Sequence, residues 1–153
     1  MNSIDEIFNV EAESWIDALE PYQKAVIIQL HKRNQDYEEV AKEWLNSSIP
    51  TNVPFGTHGK SSIYFGKVLD EVEAFFSGDE KYKDSRLAIM KESGAVQNYI
   101  VGIIPAAIGH FLGTAGVFLA PVIAIVLFTI TKIGINAWLA KRKEERELNQ
   151  HIK

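Results

Sequence analysis

Residues 93–131 form 39 consecutive positions without a single Asp, Glu, Lys or Arg. A helix that crosses a bilayer needs about 20 mostly apolar residues, so this segment is too long for one crossing and close to the length of two short ones. The sequence "GTAG" at 113–116 divides it, because paired glycines favour a turn. The pattern predicts one helix over about 95–112 and a second over about 117–139.

Charge is divided unevenly along the rest of the chain. Residues 1–92 carry 17 acidic and 10 basic side chains, whereas residues 132–153 carry 3 acidic and 6 basic ones. Basic residues flank the uncharged segment on both sides and are absent from its central turn, which by the positive-inside rule marks both flanks as cytoplasmic. The flank before the first predicted helix carries Lys83, Arg86 and Lys91, and the flank after the second carries Lys141, Arg142 and Lys143.

The N-terminal sequence "MNSIDEIFNVEAESW" has no basic region followed by an apolar run, so it does not predict a signal peptide. Together with the charge pattern, this predicts a protein of the inner (cytoplasmic) membrane with both termini cytoplasmic. The predicted organisation is an acidic cytoplasmic domain over 1–92, a transmembrane helical hairpin over 93–139 and a basic cytoplasmic tail over 140–153.

The acidic domain has the apolar spacing of helices. Ser3 and Glu6 fit a capping box, and helices are predicted over about 21–46, from about 63 to a glycine C-cap at Gly78, and over about 79–92. The predicted fold class is therefore all-α, with a small N-terminal helical bundle followed by a two-helix transmembrane hairpin.

The sequence "GKS" at 59–61 resembles the end of a phosphate-binding loop. That motif requires a glycine five residues before its second glycine, and Pro54 occupies the position. Because proline has no N–H and a fixed φ, the phosphate-cradling turn is not expected here. We interpret the segment as a loop that leads into a helix with Ser61 or Ser62 as its N-cap.

No other pattern points to an active site. The chain has no cysteine and no G-x-S-x-G motif, and the carboxylates of Glu38, Glu39 and Glu43 have no histidine in register. Basic residues are outnumbered and form no long run, which argues against nucleic-acid binding. We therefore expect no catalytic residue, no cofactor, no metal and no nucleic-acid partner.

The first helix of the predicted hairpin has a face of small residues. Gly102, Ala106, Gly109 and Gly113 recur every three or four positions. In lipid, small residues allow helix backbones to approach closely, and they commonly mark a helix–helix interface. The pattern predicts a packing seam, and with it a homo-oligomer.

The second helix ends in a polar stripe. Thr129, Lys132 and Asn136 lie on one face of a continuous helix at positions i, i+3 and i+7. Lys132 fits either a side chain that reaches the headgroups or one that faces a water-filled pore between copies of the chain. His110 likewise fits either the outer interface or a titrating position in such a pore.

These features favour an oligomeric membrane effector whose hairpins form or gate a pore that perturbs the membrane. The hairpin is expected to interact with the lipid bilayer, and residues 1–92 are expected to sense a signal or a protein partner. Lys132→Leu or Gly109→Leu is then expected to abolish leakage. The alternative is a membrane-anchored adaptor whose head binds a protein without pore activity. A membrane-embedded enzyme has less support, for want of paired catalytic groups.

A further alternative concerns the location of the hairpin. Two apolar helices also fit the interior of a soluble protein, as in the hydrophobic core of an inserting toxin. A chain of this length has few other residues with which to cover them.

Overall fold

A computed structural model describes residues 4–48, 57–91 and 97–152 of the chain. These residues are mostly helical, so the predicted all-α class is confirmed. The α-helices are α1 (Ser14–Asp17), α2 (Pro21–Arg33), α3 (Tyr37–Ser48), α4 (Thr57–Ser77), α5 (Lys83–Lys91), α6 (Gln97–Leu112), α7 (Gly116–Ile133) and α8 (Ile135–Ile152). Two short 3-10 segments, Ile4–Phe8 and Glu80–Tyr82, are also present.

The helix predicted over 21–46 is two helices in the structure. The backbone becomes extended at Asn34, and α3 begins at Tyr37. Oδ1 of Asn34 accepts the backbone N–H of Asp36 at 3.1 Å, and Oδ1 of Asp36 accepts that of Glu38 at 3.0 Å. Asn and Asp interrupt helices in this way, because their side chains offer acceptors to nearby backbone amides. The apolar spacing on either side concealed the break.

The boundaries of α4 differ from the prediction at its start only. α4 begins at Thr57, so the N-cap predicted at Ser61 or Ser62 was wrong. Its predicted end is confirmed, since Gly78 follows the helix with a φ of +97°, a conformation that suits glycine. The helix predicted over 79–92 is a 3-10 turn followed by α5. Ser3 and Pro54, on which two predictions depended, lie outside the described residues.

Helices α6 and α7 form a hairpin whose turn lies at the predicted "GTAG" break. Gly113 ends α6 with a φ of +71°, and the N–H of Thr114 donates to the carbonyl of Gly109 at 3.0 Å. The two helices are very close at this end, because a Cβ built on Gly116 would lie 2.8 Å from the Cα of Ala106. A residue with a side chain does not fit at this crossing without displacing backbone.

The centre of the fold is α7. α6 packs along it, and α1, α3 and α8 cover its other sides. The six residues from Val122 to Leu127 are all buried. Since a helix completes a turn in 3.6 residues, every face of this part of α7 is covered.

One helix of the described residues, α7, is long and apolar enough to cross a membrane. Its mean hydropathy is 2.2, and 56% of its residues are buried inside the protein. The predicted two-helix transmembrane hairpin is not confirmed. α6 has 16 residues, which make about 24 Å of helix against a hydrocarbon thickness of about 30 Å.

The predicted second helix, 117–139, is interrupted at Gly134. This residue has a φ of +94° and a ψ of +142°, a conformation that other residues adopt only with strain. Its N–H still bonds to the carbonyl of Ile130 at 2.7 Å, and its carbonyl accepts the N–H of Trp138 at 2.9 Å. The chain therefore bends without losing these backbone bonds, and α8 turns aside to pack against α4.

Candidate functional site

The candidate site is the contact between α7 and the helices around it. We refer to α1–α4 and α8, which all contact α7, as the shell. The shell contributes buried apolar side chains to the same core as α7, among them Trp15, Ile16, Ile27, Val40, Ala41, Leu45, Phe65, Val68 and Val72. The middle of the apolar helix is thus covered by its own chain.

Two shell side chains donate hydrogen bonds to the first turns of α7. Nε2 of Gln23 donates to the carbonyl of Val117 at 2.7 Å, and Nε1 of Trp44 donates to the carbonyl of Phe118 at 2.8 Å. Within a helix, the carbonyl of residue 117 would accept the N–H of residue 121, but Pro121 has none. The shell therefore supplies the donor that the helix itself lacks.

Polar contacts also hold the hairpin turn and the far end of α7. The hydroxyl groups of Tyr64 and Thr114 form a hydrogen bond at the turn. Near the other end, Nε1 of Trp15 donates to Oγ1 of Thr131 at 2.8 Å, and that hydroxyl donates to the carbonyl of Leu127 at 2.8 Å. Both ends of the apolar helix are therefore fixed to the shell by directional bonds.

A cluster of ion pairs joins α8 to α4. Arg142 pairs with Asp70 and with Glu73, the latter through Nε and Oε1 at 3.2 Å, and Arg146 also pairs with Glu73. The hydrogen bond that Arg146 donates to the carboxylate of Glu73 raises the pKa of Arg146. Arg142, which the sequence marked as a cytoplasmic flank, is therefore engaged by the acidic residues of the shell.

The predicted seam residues of α6 have different surroundings. Gly109 is buried, and a Cβ on it would lie 2.2 Å from the carbonyl oxygen of Thr114. Ala106 lies against Gly116 of the same hairpin, whereas a Cβ on Gly102 would meet nothing within 4 Å. Gly109 therefore approaches Thr114, and Ala106 approaches Gly116, within one chain. A role of the seam between copies stays a prediction.

The four residues predicted to face a pore are all exposed, and the structure does not place them on one helix. Thr129 and Lys132 lie on the open side of α7. Asn136 belongs to α8, beyond the bend at Gly134, and His110 lies near the end of α6. The stripe predicted from a continuous helix is therefore divided, and its role in a pore stays a prediction.

An open cavity of about 410 Å³ lies between the start of α2 and the hairpin. Its lining includes Gln23, Asn98, Gly102 and Val117, so it accounts for the open space above Gly102. Asn98 borders it and donates to the carbonyl of Ala18 at 3.3 Å. Over the residues that the structure describes, no group of three or more His, Asp or Glu side chains could hold a metal ion.

The polar contacts to α7 were missed from the sequence. Trp15 and Trp44 fall at the apolar positions of helical spacing, which predicts burial but no hydrogen bond, and no sequence pattern singles out Gln23. A signal for one of them existed, because a proline inside a helix leaves a carbonyl without its usual donor. Pro121 therefore predicts that some side chain must donate near Val117, although it does not identify which one.

The chain matches no family model, no curated protein and no solved structure. Its function must be inferred from the geometry of α7 and the shell.

Proposed function

We propose that this chain is a membrane effector that holds α7 within its shell at rest and releases it into a bilayer, where several copies permeabilise the membrane. The observation that carries the proposal is a helix of bilayer-compatible length and composition that lies in the centre of the fold. The shell, most of it within residues 1–92, would sense the signal or protein partner that causes release.

The physical basis is that the middle of α7 is apolar on every side. A typical surface helix has one apolar face and one polar face, whereas residues Val122 to Leu127 have no polar side chain. Such a helix loses little when hydrocarbon replaces the apolar side chains of the shell. In the proposed inserted state α6 enters together with α7, which leaves both termini on the cytoplasmic side of the inner membrane, as the flanking charges predict.

Dye-loaded vesicles with anionic lipid test the proposal, with alkaline carbonate extraction to measure integration. Thr129→Asp is the informative variant, because Thr129 is exposed in the resting fold and the new charge needs no burial there. An Asp in the hydrocarbon costs about 2.5–3.5 kcal/mol, so we expect dye release to fall more than tenfold if this position meets lipid. Gln29→Asp, at an exposed position of α2, is the matched control and is expected to release dye normally.

The other outcomes are also informative. Release that persists in Thr129→Asp with increased cation selectivity would place Thr129 in a water-filled lumen. Carbonate-resistant binding of the unmodified protein without any release would favour the adaptor. The proposal is refuted if the protein neither integrates nor releases dye across anionic lipid contents from 0 to 100% and pH values from 4 to 8, ranges chosen to span surface charge and carboxyl protonation.

A further inference from the structure

We infer that the side-chain amide of Gln23 replaces the backbone N–H that Pro121 lacks, by donating a hydrogen bond to the carbonyl of Val117. We call this hydrogen bond the latch, and we infer that it sets how readily α7 leaves the shell. The release of α7 that the latch controls belongs to the proposed function. The latch itself is tested in solution without a membrane, so the latch and the proposed function can fail separately.

Gln23 is held with little freedom at the start of α2. Its side chain is 1% exposed, which is unusual for a glutamine. Nε2 donates to the carbonyl of Val117 at 2.7 Å, while Oε1 accepts the backbone N–H of Glu20 at 3.3 Å. Both ends of the amide are therefore used, and one of them reaches 94 residues along the chain to α7.

The acceptor is a carbonyl that its own helix cannot satisfy. Pro121 provides no N–H to Val117, and loss of the Gln23 donor leaves this carbonyl without a protein partner at the edge of the open cavity. Gln23 provides that partner only while α2 lies against α7. Once α7 departs, the carbonyl must find water, a headgroup or another copy of the chain. The hydrogen bond therefore stabilises only the resting state, so its loss shifts the equilibrium toward release of α7.

Hydrogen exchange of the α7 backbone amides, followed by mass spectrometry on the full chain, measures the latch directly. In Gln23→Leu we expect α7 to exchange about tenfold faster or more, because the carbonyl of Val117 loses its donor. Gln29→Leu, on the exposed side of the same helix, is the matched control. The inference is overturned if the two variants exchange at the same rate.

Pro121→Ala tests the pairing itself. The new residue restores the N–H that Val117 lacks, so Gln23→Leu should accelerate exchange less than about threefold in this background. An acceleration as large as in the natural background would show that Gln23 contributes only packing.

Gln23→Glu gives a second, independent test should Pro121→Ala fold poorly. The ionised carboxylate can still accept from the N–H of Glu20, but it cannot donate to Val117; the protonated carboxyl can do both. Burial and the nearby carboxylate of Glu20 should hold the pKa of the introduced carboxyl above its ordinary value. We therefore expect α7 of this variant to exchange fast at pH 7.5 and to approach the unmodified protein, measured at the same pH, near pH 5. An acceleration that does not vary with pH would overturn the latch.

The vesicle assay separates this inference from the proposed function. Faster exchange in Gln23→Leu together with faster dye release supports both. Faster exchange in a protein that never releases dye leaves the latch intact and refutes the effector. Equal exchange with normal dye release refutes the latch alone.

Discussion

Gly109 and Gly102 lie two helical turns apart on α6, and the structure predicts opposite effects when each is changed to alanine. In a helix interior, Gly→Ala stabilises by about 0.5–1 kcal/mol, because glycine loses more backbone entropy on folding. A Cβ at Gly102 meets nothing within 4 Å, so Gly102→Ala should gain that amount. The same gain is available at Gly109 only if the space for a Cβ exists.

That space is absent at Gly109. The added Cβ would lie 2.2 Å from the carbonyl oxygen of Thr114 and 3.3 Å from the amide nitrogen of Gly116, and both atoms are backbone. The hairpin turn would have to shift by most of an ångström, and overpacking of this kind costs about 1–3 kcal/mol or more. We expect Gly109→Ala to lower the free energy of unfolding by about 1–2 kcal/mol after the propensity gain is included.

Urea unfolding followed by circular dichroism at 222 nm measures both variants. The reasoning is refuted if they change stability in the same direction by the same amount, since that would mean that the turn does not pack on α6 as described. The result also bears on the membrane assays. Loss of leakage in Gly109→Leu would follow from the damaged hairpin under any function, whereas Gly102→Leu places its side chain in the open cavity and tests contact between copies.

Three smaller predictions concern other parts of the fold. Burial and the 2.6 Å hydrogen bond to Glu71 raise the pKa of Tyr82, so its contribution to stability is complete below about pH 10 and is lost as the pH rises beyond that. Tyr82→Phe should therefore show a shallower loss of stability than the natural chain in urea titrations from pH 8 to pH 11; equal slopes would contradict this. Gly134→Ala should destabilise by about 1–2 kcal/mol, because it forces a φ of +94° on alanine, and an unchanged melting temperature would show that the bend is dispensable. Trp15→Phe loses packing in the core and the hydrogen bond to Thr131, and in chemical denaturation its cost should be about 1 kcal/mol smaller in a Thr131→Val background, where that bond is already absent.

The local features of the fold were predictable where one residue type dictates the backbone. Gly78 and Gly113 end helices with positive φ, and both were placed from the sequence. The break at Asn34 was missed because apolar residues continue at helical spacing on both sides of it. The bend at Gly134 was missed for the same reason, since the apolar pattern of α7 continues to Trp138 in α8.

The site was less predictable because its contacts join distant parts of the chain. Gln23 meets Val117 and Trp44 meets Phe118 across separations of 94 and 74 residues. Hydrophobic periodicity indicates that a face is buried, but it does not identify the element that buries it. From sequence spacing alone, the small residues of α6 were therefore predicted to contact another copy of the chain. In the structure, Gly109 and Ala106 of that face pack against the turn of their own hairpin.

The apolar surface of α7 contributes little to the choice between shell and bilayer, because its side chains are surrounded by apolar groups in both. The polar contacts differ between the two states. Donors from Gln23, Trp44 and Trp15 contribute about 0.5–1.5 kcal/mol each, so together they amount to a few kcal/mol. Binding of a partner, or attraction of a basic tail to anionic lipid at about 1 kcal/mol per residue, is of the same size. Substitutions at these polar contacts should therefore shift the balance of the proposed effector, whereas conservative apolar changes such as Val122→Ile should affect both states alike.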